Sequence, residues 1–247
     1  IVTKPSLYKI LSLEKKINTY FKDIKDPSNL KKVVNNIKPD IIFHLAAQSL
    51  VPESIKNPKE TILTNSIGTF NLLEILRNYK KKIACVIITS DKCYYPKKNK
   101  YYFVENDHLG GEDPYSASKA CAEIIYKSYQ ETYLKKKSNI NTCTVRAGNV
   151  VGGGDWSVNR IITDIFNSIQ NKKNLVLRNP NANRPWQHVI EPLWAYILLS
   201  ERLYAGKFDG ESFNVGPNSK NNETVYYIAK KLIKKMNSNI SIQIKKS

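Results

Sequence analysis

No run of apolar residues in this chain approaches the roughly 20 that a membrane-spanning helix needs. The opening IVTKPSLYKI has no long apolar centre and does not read as a secretory signal. It also lacks an initiator methionine, so the sequence reads as a fragment. Cysteine is scarce. Cys85, Cys93, Cys121 and Cys143 lie far apart, and no CxxC pair or Cys/His cluster has zinc spacing, so no metal site is expected. Cys85 and Cys143 fall in apolar strand-like runs and are expected in the core, and reduced thiols point to a cytoplasmic protein. Acidic residues are outnumbered, 21 against 39 basic, for a formal charge of +18. The excess is almost all lysine, 33 of the 39, scattered in short clusters such as 80–82 and 135–137. No basic stripe alternates with aromatics, as a groove tracking a nucleic-acid strand would require. A solvated, lysine-rich surface is expected, with neither nucleic acid nor membrane as partner. Internal repeats and low-complexity linkers are also lacking.

What is present is an alternation of patterns. The 247 residues, 41% hydrophobic, suffice for one large α/β domain or a domain plus a small lobe. NLKKVVNNI (29–37) has helical spacing and is stopped by Pro39. DIIFHLAA (40–47) reads as a buried strand, and NPKETILTNSIGTFNLLEILRNYK (57–80) as one long amphipathic helix opened by Pro58. KIACVIITS (82–90), DPYSASKACAEIIYKSYQETYLKK (113–136) and NINTCTVRAGNV (139–150) read as strand, helix and strand. This order predicts parallel strands joined by right-handed crossovers: an α/β, doubly wound, Rossmann-like sheet. Beyond residue 150 the elements shorten. The expected division is a core over 1–150 and a smaller mixed substrate-binding lobe over 151–247, interleaved with the last core elements.

Open parallel sheets bind ligands outside the carboxyl ends of their strands. HLAAQS (44–49), TSDKCY (89–94) and RAGNVVGGGDW (146–156) fall there. Tyr115 and Lys119 are i and i+4 on the predicted helix and share a face. That spacing alone is commonplace on surface helices. Here it follows a strand ending in Ser90. An ammonium near a phenol favours the phenolate, and a serine hydroxyl can bond both a substrate alcohol and the phenol. Together they suit removal of a proton from an alcohol while a cofactor removes the hydride.

YSASK with its upstream Ser/Thr, HLAAQS and TNSIGT resemble the extended short-chain dehydrogenase/reductases. Within them, SDKCY, GGEDPYSASKACAE, VRAGNVVGGGDW and NPNANRPWQHVIEPL resemble the CDP-glucose 4,6-dehydratases, over essentially the whole chain. The resemblance implies an NAD-dependent lyase of polysaccharide biosynthesis. It would turn CDP-glucose into CDP-4-keto-6-deoxyglucose by transient oxidation at C4, loss of water across C5 and C6, and return of hydride to C6. The rivals are another nucleotide-sugar dehydratase, a 4-epimerase, or a non-catalytic sugar-nucleotide-binding module. A plain epimerase needs no acid to expel water, so Asp91 favours a dehydratase.

By the same resemblance, Ser90, Asp91, Lys92, Tyr115 and Lys119 carry the chemistry. Tyr115 and Lys119 also touch the cofactor. Asp23 would accept from the adenine amine and Ile24 would lie against the ring, with Leu45, Ala46 and Ala47 along the cofactor and Thr64 near the nicotinamide ribose. Ser49, Asn149, Arg160 and Arg184 would hold the substrate, an arginine fork being suited to a diphosphate. His44 and Asn65 read as structural. Trp156 and Trp186 would pack the lobe or flank the nucleotide. Lys92 stands where dTDP-glucose dehydratases place a glutamate, and could act as base or as electrostatic stabiliser. A homodimer through the Tyr-bearing helix and its neighbour is implied.

One family element is lacking: the Gly-x-x-Gly-x-x-Gly turn that cradles the NAD pyrophosphate. Gly152 to Gly154 is no substitute, because it follows the strand after the Tyr helix. The chain is therefore expected to start after the first strand–helix unit and to stop short of the family's C-terminus. By itself it is expected to bind NAD poorly and to be inactive.

Overall fold

The computed structural model describes residues 3, 5–97, 102–217 and 223–245. In chain order its elements begin with α1 (Leu7–Ile10), α2 (Pro27–Ile37), β1 (Ile41–His44), α3 (Val51–Lys56), α4 (Pro58–Ile62) and α5 (Gly68–Arg77). Then come β2 (Ile83–Ile88), α6 (Pro114–Tyr129), β3 (Ile140–Ala147), β4 (Asn149–Val151), α7 (Ile161–Gln170) and β5 (Leu175–Leu177). The last are β6 (Trp186–His188), α8 (Ile190–Tyr204), β7 (Ser212–Val215), α9 (Val225–Lys235) and β8 (Ile242–Ile244). They fall into two compact units, 20–148 with 191–215, and 1–19 with 149–190 and 216–247. Residues 191–215 thus return to the unit that holds the sheet, and the first residues group with the other.

In the larger unit β1, β2, β3 and β7 form a parallel sheet in that order. Alternate residues of a strand point to opposite faces. Ile83, Cys85 and Ile87 of β2 pack with Leu72, Leu73 and Leu76 of α5 and Tyr126 of α6. Ala84 and Val86 pack on the other face with Tyr196 and Leu203 of α8. Helices on both faces make the sheet doubly wound and Rossmann-like, as the alternating patterns predict. All eight residues of β3 are buried, including the polar Thr142, Thr144 and Arg146. No described helix is long and apolar enough to cross a membrane.

Local signals set the helix starts. Asp26 caps α2 by accepting from Ser28 N and Asn29 N, ahead of Pro27 in the first turn. Asp113 caps α6 in the same way, accepting from Ser116 N at 2.9 Å and Ser116 Oγ at 2.7 Å.

Three boundaries differ from the sequence reading. The strand over 40–47 stops at His44, because Gln48 N donates to the Asn65 side chain instead of to a strand neighbour. The helix over 57–80 passes through a widened π turn at Leu63–Ile67. Such turns are rare and often fall at functional sites, and this one carries Asn65, whose side chain bonds Gln48 and Ser118. The strand over 139–150 is cut at Gly148: β3 ends in the larger unit and β4 begins in the smaller.

In the smaller unit β4 pairs with β6 and β5 with β8, both parallel. Ile165 of α7, Leu175 and Leu177 of β5, and Ala229 and Ile233 of α9 form its core.

Candidate active site

Strand β2 is followed by Thr89 and Ser90, both buried. Ser90 Oγ accepts from Lys92 N and donates to Asp91 Oδ1, each at 3.2 Å. The serine thereby caps a single 3₁₀ turn, Asp91–Cys93. This turn sorts the polar trio by depth: Ser90 is buried, Asp91 half-buried and Lys92 exposed, while Cys93 and Tyr94 plug into the core beside Ala120. A strand end in the core is turned outward without leaving its polar groups unbonded.

Tyr115 and Lys119 lie on α6, 8% and 6% exposed. Lys119 Nζ donates to the Ile88 carbonyl at 3.1 Å, tying the helix to the end of β2. Burial lowers the Lys119 pKa to about 8, against the opposing pull of Glu123 and Cys93. Burial, with the Lys119 charge, takes His44 down to about 4, so its ring is neutral at physiological pH and shares a 3.0 Å hydrogen bond with Thr69 Oγ1. That is a structural histidine, as expected.

Asn65 is the brace. Its amide donates to Ser118 Oγ at 2.8 Å and to Gln48 O at 2.9 Å, and its oxygen accepts from Gln48 N at 2.8 Å. Ser118 Oγ in turn donates to Tyr115 O. One buried amide therefore couples the loop after β1 to the turn of α6 that carries Tyr115.

Of the residues assigned to a cofactor, 45–47 directly follow β1, while Asp23 and Ile24 lie before α2 and Thr64 in the turn between α4 and α5. Leu45 and Ala46 are exposed after β1 and Ala47 is half-buried. Asp23 accepts from Lys25 N at 2.9 Å. Asn71 Nδ2 donates to the Ile24 carbonyl at 3.0 Å, and Ile24 packs on Gly68 so closely that a Cβ there would lie 2.4 Å from Ile24 Cδ1. Thr64 Oγ1 donates to Glu60 at 3.3 Å. Ser49 is exposed in the same loop as Ala46.

In the smaller unit Asn149, Arg160 and Arg184 come together with Asp164, Arg178 and Trp186 around one pocket of about 280 Å³. Arg184 Nη1 donates to its neighbour Asn183 O at 2.9 Å, and Trp186 Nε1 to Glu223 O at 2.9 Å. Arg160 Nε is 3.9 Å from Asp155. Burial raises the Asp164 pKa, with Arg178 acting against it. Arg178 and Asp164 were not singled out in the sequence, where an arginine after a short strand carries no signal.

The four-stranded parallel sheet with helices on both faces defines a Rossmann-like α/β protein. The chain belongs to the GDP-mannose 4,6 dehydratase family, whose pattern matches residues 5–247. It is 41% identical over 236 residues to CDP-glucose 4,6-dehydratase of Salmonella typhimurium, across 94% of this chain and 66% of that protein. The chain thus spans just under two thirds of that relative's length. A crystal structure of dTDP-glucose 4,6-dehydratase from Bacillus anthracis in complex with NAD superposes with a TM-score of 0.74 at 25% identity, over 92% of this chain and 67% of that one. UDP-glucose 4-epimerase from Thermotoga maritima, solved with UDP-glucose, shares the fold at a TM-score of 0.79 and 21% identity, over 92% and 72% of the two chains.

Proposed function

We propose that this chain carries the reacting groups of an NAD-dependent CDP-glucose 4,6-dehydratase. The observation that carries the reading is the junction at the end of β2. There the Ser90–Asp91–Lys92 turn follows Ile88, and the carbonyl of Ile88 holds Lys119 of the Tyr115 helix. The likeness to the Salmonella enzyme supports CDP-glucose as the substrate.

Tyr115 takes the proton of the glucose C4 hydroxyl, with the Lys119 charge favouring its phenolate. Ser90 bonds the same hydroxyl. Asp91 delivers a proton to the departing C6 hydroxyl. Lys92 stabilises negative charge at the C4 oxygen while the C5 proton passes to water. NAD, when bound, supplies the acceptor and then the donor of hydride. The small side chains of Ala46 and Ala47 after β1 suit its nicotinamide half, which Thr64, Tyr115 and Lys119 would also meet, and Asp23, Ile24 and Leu45 would serve the remainder. A glycine-rich turn for the pyrophosphate is not in these 247 residues. Asn149, Arg160 and Arg184 hold the diphosphate of the sugar nucleotide, and Ser49 bonds the sugar. Two copies pair through α5 and α6, where Phe70 and Ile124 are exposed, as is Ile67 in the turn before α5.

Full-length protein given NAD⁺ and CDP-glucose is expected to release the 4-keto-6-deoxy product with no added reductant. Clear preference for UDP-, dTDP- or GDP-glucose, or epimerisation at C4 with no dehydration, overturns the reading.

A further inference from the structure

The chemistry above leaves out a buried ion pair directly behind it. Glu123 lies one turn beyond Lys119 on α6 and is 1% exposed. Its carboxylate accepts from Thr89 Oγ1 at 2.5 Å, Thr144 Oγ1 at 3.0 Å and Arg146 Nη2 at 2.7 Å. Thr89 is the residue before Ser90. Arg146, itself 5% exposed, sends Nη1 to Tyr94 Oη at 2.8 Å and Glu105 O at 2.7 Å. Tyr94 donates onward to Asn214 Oδ1 at 2.6 Å. Two threonines, a glutamate, an arginine and a tyrosine thus clamp the end of β2, the turn after it, β3 and α6.

A buried ion pair is weak evidence for stability, since apolar residues of similar volume often serve as well or better. The arginine here is also incompletely satisfied, with Nε buried and lacking a hydrogen-bond partner. Stability therefore does not account for the pair. Its location does: the glutamate touches the strand residue next to Ser90 and sits a turn from the lysine beside Tyr115.

We infer that Glu123 is a positioning residue, which fixes the strand end presenting Ser90 and, with Arg146 as its counter-ion, sets the charge on Lys119. The consequence for Tyr115 rests on the dehydratase reading; the coupling of Glu123 to Lys119 does not. The groups acting on Lys119 are Glu123 on its own helix, Cys93 on the turn after β2 and His44 on β1, with Tyr115 one turn back on α6 and Arg146 of β3 behind Glu123. Burial pulls the Lys119 pKa down to about 8, and Glu123 is the first of the influences that hold it up. Without that carboxylate the lysine titrates lower and loses its charge near neutral pH, when the phenol beside it needs a cation.

The test needs neither substrate nor cofactor, so its failure is distinct from failure of the dehydratase reading. Lys119 has a lower pKa folded than unfolded. Between about pH 8 and 10.4 the unfolded chain therefore holds a proton that the folded chain has released, and stability rises with pH. Urea unfolding of the full chain and of Lys119→Met, at a series of pH values, isolates this rise as the difference between the two. The same pair of measurements is then made in a Glu123→Gln background. The onset of the rise is expected to move at least one pH unit lower. An unchanged onset overturns the inference. If Glu123→Gln does not fold because Arg146 is left unpaired, the Glu123→Gln/Arg146→Met background removes the orphaned guanidinium and is read by the same criterion.

Discussion

Ser90 shows how one side chain serves a fold and a site together. Its hydroxyl caps the turn after β2 through Lys92 N and Asp91, which fixes where Asp91 and Lys92 emerge. Tyr115 is mostly buried, so Tyr115→Phe keeps the ring packing and removes only the oxygen. In the full-length enzyme it should slow substrate-dependent reduction of NAD⁺ by about 10²- to 10⁴-fold. A normal absorbance rise on mixing with CDP-glucose would show that Tyr115 is not the base. Lys92 is exposed at the tip of the turn. Lys92→Met is expected to slow C5 proton exchange with deuterated solvent far more than the first hydride transfer; equal slowing of both steps would remove Lys92 from the elimination. Arg184 is half-buried in its pocket, and its Nη1 donates to the adjacent backbone at Asn183 O. Arg184→Ala should weaken CDP-glucose binding by about 10- to 100-fold, the worth of a charge-assisted contact. Titration calorimetry showing no change would place the diphosphate elsewhere.

At the scale of elements, α5 and α6 do more than cover the sheet. The widened turn between α4 and α5 carries Asn65, which ties the loop after β1 to α6 through Gln48 and Ser118. Gly68, at the start of α5, lets Ile24 lie on the helix with no room for a methyl group: the added Cβ would meet Ile24 Cδ1 at 2.4 Å and Cγ1 at 2.8 Å. Gly68 has ordinary helical dihedrals, so close approach alone requires glycine there. Gly68→Ala is predicted to cost about 1–3 kcal/mol by overpacking, read as a lower urea midpoint at unchanged slope. An unchanged or raised midpoint would mean that Ile24 moves aside freely.

At the scale of the molecule, the larger unit has a full helical layer on one face of its sheet, and that layer leaves apolar side chains uncovered. Ile124 on α6 is 57% exposed, with Phe70 of α5 and Ile67 just before it also exposed. This is the basis for pairing two copies here. The protein is expected to run as a dimer in light scattering, and Ile124→Glu to shift it to the monomer. A monomeric parent at micromolar concentration would refute the pairing. The charge of +18 opposes association at long range, so the dimer should tighten as salt is raised.

Periodicity and punctuation in the sequence determined the parallel sheet, the order of strand and helix, and the starts of α2 and α6, because these depend on neighbours a few residues apart. Spacing placed Tyr115 one turn from Lys119 for the same reason, and the motifs that carry the family resemblance are contiguous. The sequence also marked Asn149, Arg160 and Arg184, but by resemblance rather than by any local rule. What only the tertiary structure decided depends on residues far apart in the chain. Thr89, Glu123 and Arg146 read as a strand end, a helix surface and a strand interior, and they become one buried network only when β2, α6 and β3 pack. Asn65, in the widened turn, finds its partners at positions 48 and 118. Arg178 and Asp164 share a pocket because β5 and α7 fold side by side. A hydrogen bond or a buried charge is set by the distance between atoms in space, and a linear pattern holds no measure of that distance.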